Sequence, residues 1–180
     1  MALQLENLDG RIRNLMLSEI AFDEGRGALY TSRRFTRAGE GEYPMILKDV
    51  VVSGGDAELA AKLRAHGCFA ETETRHLKSG KISTAKVPVT AAETFAEGEF
   101  NRFYLRALCR AAIEDCVNEV MVYRARHSEN PRPESEALIG KMVDAKSLLE
   151  DLRNNTGVDT CLGLPPGPNS GLSARLPIKN

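Results

Sequence analysis

Residues 91–115 constrain the fold of this chain more than any other stretch. Thr90 and Glu93 have the spacing of a capping box, and no proline follows for more than thirty residues. Phe100, Phe103, Tyr104, Ala107, Leu108 and Ala111 recur at helical spacing on one broad face, and Leu105, Cys109, Ala112 and Cys116 widen it. A helix apolar over so much of its circumference is stable only where other elements cover it. The stretch therefore predicts a central packing helix over about Ala91–Asp115. Only a stripe of Arg102, Arg106 and Arg110 interrupts the apolar surface. Glu99 and Glu114 stand three before the first of these and four after the last, so ion pairs within or between helices are expected.

The covering elements follow from local pattern. Leu8, Ile12, Leu15, Met16 and Ile20 predict a helix over about Leu5–Ala21, ended by the Asp23–Gly27 run. A basic stretch, Arg33-Arg34-Phe35-Thr36-Arg37, leads through Gly39 and Gly41 to a second helix, about Tyr43–Val52, with Pro44 in its first turn. Ser53-Gly54-Gly55 is a break. Asp56 then stands as N-cap of a third helix, about Ala57–Ala65, with Gly67 past its end. Two helices on a tight glycine turn have the outline of a helix-turn-helix.

A β-hairpin follows. Phe69–Leu77 and Ile82–Val89 flank Lys78-Ser79-Gly80-Lys81, and a two-residue Ser-Gly turn places Glu73 opposite Lys86. Residues 71–76 are polar on both sides, so the hairpin is expected to project into solvent or onto a partner. After the central helix, Val120–Ala125 alternates Val120 and Val122 with Met121 and Tyr123, the pattern of an inner strand. A short helix with Glu134 and Glu136 in its first turn ends at Gly140. Asp144 caps another, with Leu148, Leu149 and Leu152 inward. Residues 163–180, with Pro165, Pro166, Pro168 and Pro177 among three glycines, are expected to form an extended arm whose Leu172 and Leu176 dock on a partner subunit, or in a groove of the same domain. The expectation is one α+β domain over 1–162, helix-rich, with a projecting hairpin and a C-terminal arm.

With 42% hydrophobic and 27% charged residues, the chain has enough apolar surface to fold without a metal or disulfide. Cys109 and Cys116 would lie about 10 Å apart along one helix, too far for a disulfide, and reduced thiols are expected. The segment before Gly10 holds Glu6 and Asp9 and no basic region, so no secretory signal is expected. Val50–Val52 is the longest purely aliphatic run, too short for a membrane span. A soluble protein of a cytoplasm or a virion is expected.

Candidate chemistry is sparse. His66, Cys68 and His76 match no zinc spacing, and neither metal nor cofactor is expected. No nucleophile elbow accompanies the three histidines, and the carboxylates Glu93, Glu97 and Glu99 suit the helix dipole at the start of the central helix. Enzymatic activity is therefore not expected. A formal charge of −1 excludes a global basic field, so any nucleic-acid contact must come from a local patch. The helix-turn-helix offers Lys62 and Arg64, and the hairpin, in the place of a wing, offers Arg75, His76, Lys78 and Lys81.

The runs Glu97–Arg106, Val122–Arg126, Asn130-Pro-Arg-Pro-Glu-Ser-Glu136 and Leu164-Pro-Pro-Gly-Pro-Asn-Ser-Gly-Leu-Ser173 resemble a group of uncharacterised proteins from tailed phages and prophages. The resemblance implies a virion component or another phage accessory protein and carries no site residue with it. The leading expectation is a non-enzymatic assembly protein of a phage particle, docking on neighbouring subunits. The alternative is a winged-helix-like DNA-binding regulator.

Overall fold

The computed structural model describes residues 2–76, 80–156 and 170–177. They form six helices, a two-stranded hairpin and a three-stranded sheet, an α+β arrangement around the helix read first from the sequence. That helix, α4, runs Ala91–Glu114 and buries sixteen of its residues. It packs against α1 (Gly10–Gly25), α3 (Asp56–Ala65) and α6 (Ala145–Asn154). Thr90 is its N-cap residue but makes no side-chain capping hydrogen bond, its backbone (φ −89°, ψ 8°) lacking the extended geometry of a cap, and Glu93 pairs with Arg64 instead.

Helix α1 starts five residues later than its periodicity suggested and ends four later. Asp9 caps it, accepting from the Ile12 N–H at 2.8 Å, while Leu5 and Leu8 pack on the core from a non-helical lead-in. It continues through Asp23 because that carboxylate is buried against Arg106. Helix α2 spans Arg37–Ser53, so Pro44 lies inside it rather than in its first turn. Thr36 caps it, and Gly39 is required there: a Cβ would stand 2.4 Å from the Cys68 carbonyl oxygen. The glycines that read as linker thus sit in a helix that starts against another backbone. In α3, Gly55 is the N-cap residue, and Asp56 instead accepts from the Leu3 N–H at 3.1 Å.

The hairpin pairs β1 (Thr72–His76) with β2 (Ile82–Lys86). Its register places Thr72 opposite Lys86 and Glu73 opposite Ala85, one residue from expectation. His76 pairs with Ile82, leaving an odd number of residues between them, which a two-residue turn cannot satisfy. Glu73 takes its partners from Arg34 and Arg75 instead of Lys86.

The second sheet has the order β4-β3-β5, all antiparallel. Its centre is β3 (Glu119–Arg124), the inner strand read from sequence. One flank, β4 (Met142–Asp144), has no apolar alternation and was not foreseen. It follows α5 (Pro133–Glu136) and runs into Asp144, which caps α6 by accepting from the Ser147 N–H at 2.7 Å. The other flank, β5 (Leu172–Arg175), comes from the expected arm.

Under α4 lies a buried charge network. Arg106 is 0% exposed. It donates to Glu19 at 2.8 Å and to both oxygens of Asp23 at 2.6 and 2.8 Å. Glu19 also receives Arg153 at 2.6 Å and Arg110 at 3.3 Å. Burial raises the Glu19 carboxyl, but the Arg153 hydrogen bond and the Arg106 charge outweigh it and hold its pKa below the usual range. The arginine stripe is therefore paired, with its carboxylate partners on α1 (Glu19 and Asp23) and on α4 itself (Glu99 and Glu114).

Among the described residues, no helix is long and apolar enough to cross a membrane.

Candidate nucleic-acid interface

Helix α1, a short bridge at Phe35, helices α2 and α3, then β1 and β2, follow one another in the order a winged-helix module would require. The bridge is antiparallel to Phe69: Thr36 N–H donates to Cys68 O at 2.8 Å and Ala70 N–H to Arg34 O at 2.9 Å. Val87 N–H donates to Glu71 O at 2.9 Å on the other side. Three backbone segments therefore lie side by side at the hairpin base. Phe35, Tyr43, Phe69 and Phe95 pack edge to face or tilted beneath them, centroids 4.8–6.2 Å apart, and fix the base to α2 and α4.

The cations nominated from sequence fare unequally. Lys62 meets Asp49 at 2.5 Å and Glu58 at 3.3 Å, and the hydrogen bond it donates to Asp49, then that to Glu58, raises its pKa. Arg64 is paired with Glu93. Arg75 meets Glu73 at 2.7 Å, and Arg34 meets the same carboxylate at 2.5 Å. The Arg34 hydrogen bond, with that of Arg75, lowers Glu73 to a pKa of about 2. Lys81 is exposed and forms no ion pair among the described residues. Lys78 lies outside the described residues. His66 Nδ1 is 2.8 Å from Glu42. Cys68, the other half of the discounted metal pair, is buried, and desolvation raises its thiol pKa.

Three residues not nominated share the properties of Lys81. Arg33, Arg37 and Lys86 are exposed and have no carboxylate partner among the described residues. The signal that could have found them is a gap in acidic residues. Residues 25–39 hold four arginines and residues 74–92 hold Arg75, Lys78, Lys81 and Lys86, with no Asp or Glu in either stretch. The rest of the chain holds all 25 acidic residues against 16 Lys and Arg. With a net charge of only −1, the protein still distributes its charge unevenly along the chain: the Phe35–Phe69 bridge sets the first acid-free stretch beside residues 68–70, which lead through Glu71 and Glu73 into the second.

The expected partner-binding leucines lie elsewhere. Leu172 is 2% exposed, within the core of its own domain, and Leu176 packs partly buried against that core. Leu176 N–H donates to Asn7 at 2.9 Å, Asn101 donates to Leu172 O, and Gly171 O accepts from Ala125 and Arg126. The groove these leucines fill is intramolecular, and the globular unit extends through residues 170–177 beyond the boundary expected at 162. The reason is β3: an inner strand needs two neighbours, and β4 supplies only one.

No protein-family model, curated protein or solved structure matches the chain.

Proposed function

We propose that this protein binds nucleic acid through the hairpin and the basic segment that precedes α2, with no enzymatic step. The observation that carries this is a set of exposed cations without carboxylate partners among the described residues, Arg33 and Arg37 on one acid-free stretch and Lys81 and Lys86 on the other. Phosphate contacts supply most of the affinity in such modules, and they need cations that are exposed and not already neutralised. Arg33, Arg37, Lys81 and Lys86 meet both conditions, whereas Lys62 and Arg64 do not meet the second.

The test is binding of a labelled duplex between about 50 and 200 mM salt. Replacing Lys81 and Lys86 by Ala should weaken binding and lower the slope of log affinity against log salt by about two. Absence of binding by the unmodified protein at low salt would sink the proposal.

A non-enzymatic assembly protein of a phage particle, the setting the four C-terminal runs imply, is the second reading. Ile82 and Val89 favour it: they are 67% and 90% exposed, on and just beyond the hairpin. Exposed apolar side chains on an uncovered strand suit a protein partner. Under this reading the solution mass without DNA is that of an oligomer, and Ile82→Asp with Val89→Asp returns it to monomer.

A further inference from the structure

Resting on the nucleic-acid reading, we infer that the element meeting duplex DNA is the β1–β2 ribbon and not helix α3, and that binding is nearly indifferent to base sequence. In a helix-turn-helix the second helix enters the major groove and reads base edges with hydrogen-bonding side chains. Helix α3 is poorly equipped for this. Its exposed positions include Ala57, Glu58, Ala61, Arg64 and Ala65. The alanines offer a base edge no hydrogen bond, and Glu58 would stand among phosphates as a like charge. Its two cations are held by Asp49, Glu58 and Glu93. Its opposite face, Leu59, Ala60 and Leu63, is buried, so it cannot roll to present another set.

The ribbon has the complementary properties. Only two strands wide, it has no third strand along 72–76 or 82–86 among the described residues. A two-stranded ribbon fits the B-form major groove, whereas the A-form major groove is too deep and narrow for side chains to read. Its pairing puts Thr72 with Lys86 and Thr74 with Thr84, all exposed. Threonine hydroxyls donate and accept, so they serve phosphates and any base with little preference. Lys81 and Lys86 lie toward opposite ends of β2, where a groove-bound ribbon meets flanking phosphates.

The experiment compares two surfaces of the intact protein. Ala61→Glu adds a negative charge at the centre of the exposed face of α3, in a helix that tolerates glutamate. With the ribbon as the contact, Ala61→Glu should change duplex affinity by less than about twofold, while the Lys81→Ala, Lys86→Ala pair lowers it by about tenfold or more. Selection from a random duplex pool should enrich no consensus, and duplex RNA should bind more weakly than DNA of the same length. Loss of binding in Ala61→Glu with retention in the lysine variant would place α3 in the groove and overturn the inference. So would an enriched consensus bound about tenfold above random, or equal binding of duplex RNA. These outcomes leave the underlying nucleic-acid reading standing; only failure of the unmodified protein to bind at low salt removes both. Circular dichroism and thermal midpoints of all variants guard against misfolding, since every substituted position is exposed.

Discussion

Arg106 and Lys86 are both cations on regular secondary structure, yet they sit in opposite electrostatic settings. Around Arg106 the surroundings supply two carboxylates, and the cation is closed off from water. Around Lys86 there is no carboxylate partner among the described residues, and water reaches it freely. The first setting holds helices together; the second leaves charge to be matched from outside. Counting charges along the chain does not separate these cases, because a salt bridge erases a cation locally while leaving the total unchanged.

The contrast breaks most easily at Arg106. Arg106→Ala leaves Glu19 and Asp23 buried without their main cation and should cost about 3–5 kcal/mol, read by urea denaturation. A variant as stable as wild type would mean the network is dispensable. Next comes the closing strand. Leu172→Ala should cost about 2–5 kcal/mol, and removing residues 170–180 should cost more, because β3 loses a neighbour. If the truncated chain keeps its denaturation midpoint, β5 is an accessory after all.

Two buried carboxylates give a smaller, pH-dependent effect of opposite sign. Glu19 is held below its usual pKa, so its contribution is present above the unfolded carboxylate pKa and lost as pH falls through the folded one. Glu99 is pushed up by burial, which Arg102 only partly offsets, and its Oε2 has no hydrogen-bond partner. The fold prefers its neutral form, so its contribution is present below the unfolded pKa and lost as pH rises through the folded value. Glu99→Gln should therefore gain on wild type by about 1 kcal/mol between acid and neutral pH. A pH-independent difference between the two would refute this. Smallest of all, Lys81→Ala with Lys86→Ala should shift stability by no more than about 0.5 kcal/mol while changing DNA binding. A large loss of stability would show these lysines to be structural and dissolve the contrast.

Much of the frame was legible beforehand. The long helix, the inner strand and the Asp144-capped helix declare themselves because each depends on neighbours a few residues away. Boundaries that depend on distant partners did not: α1 runs on because Asp23 meets Arg106, 83 residues later, and α2 begins early because Gly39 abuts the Cys68 backbone. The same distinction governs the candidate site. Lys62 and Arg64 look available in the sequence, but their carboxylates at Asp49 and Glu93 stand 13 and 29 residues off. The acid-free stretches were readable, whereas which of their cations stay unpaired was not: Glu73, between the two stretches, takes both Arg34 and Arg75.

Strand β5 also bears on how the molecule is made. Leu176 reaches Asn7 across 169 residues, and Arg175 reaches Glu6 across as many. Contacts of such separation close late, since the chain between them must be ordered first. During vectorial synthesis the helical layer around α4 can assemble while the last strand is still inside the ribosome. Until that strand emerges, one side of β3 and the lead-in around Asn7 wait without their partner. The nascent protein is thus a nearly finished body with a single open seam, sealed by the last of its described residues to be synthesised.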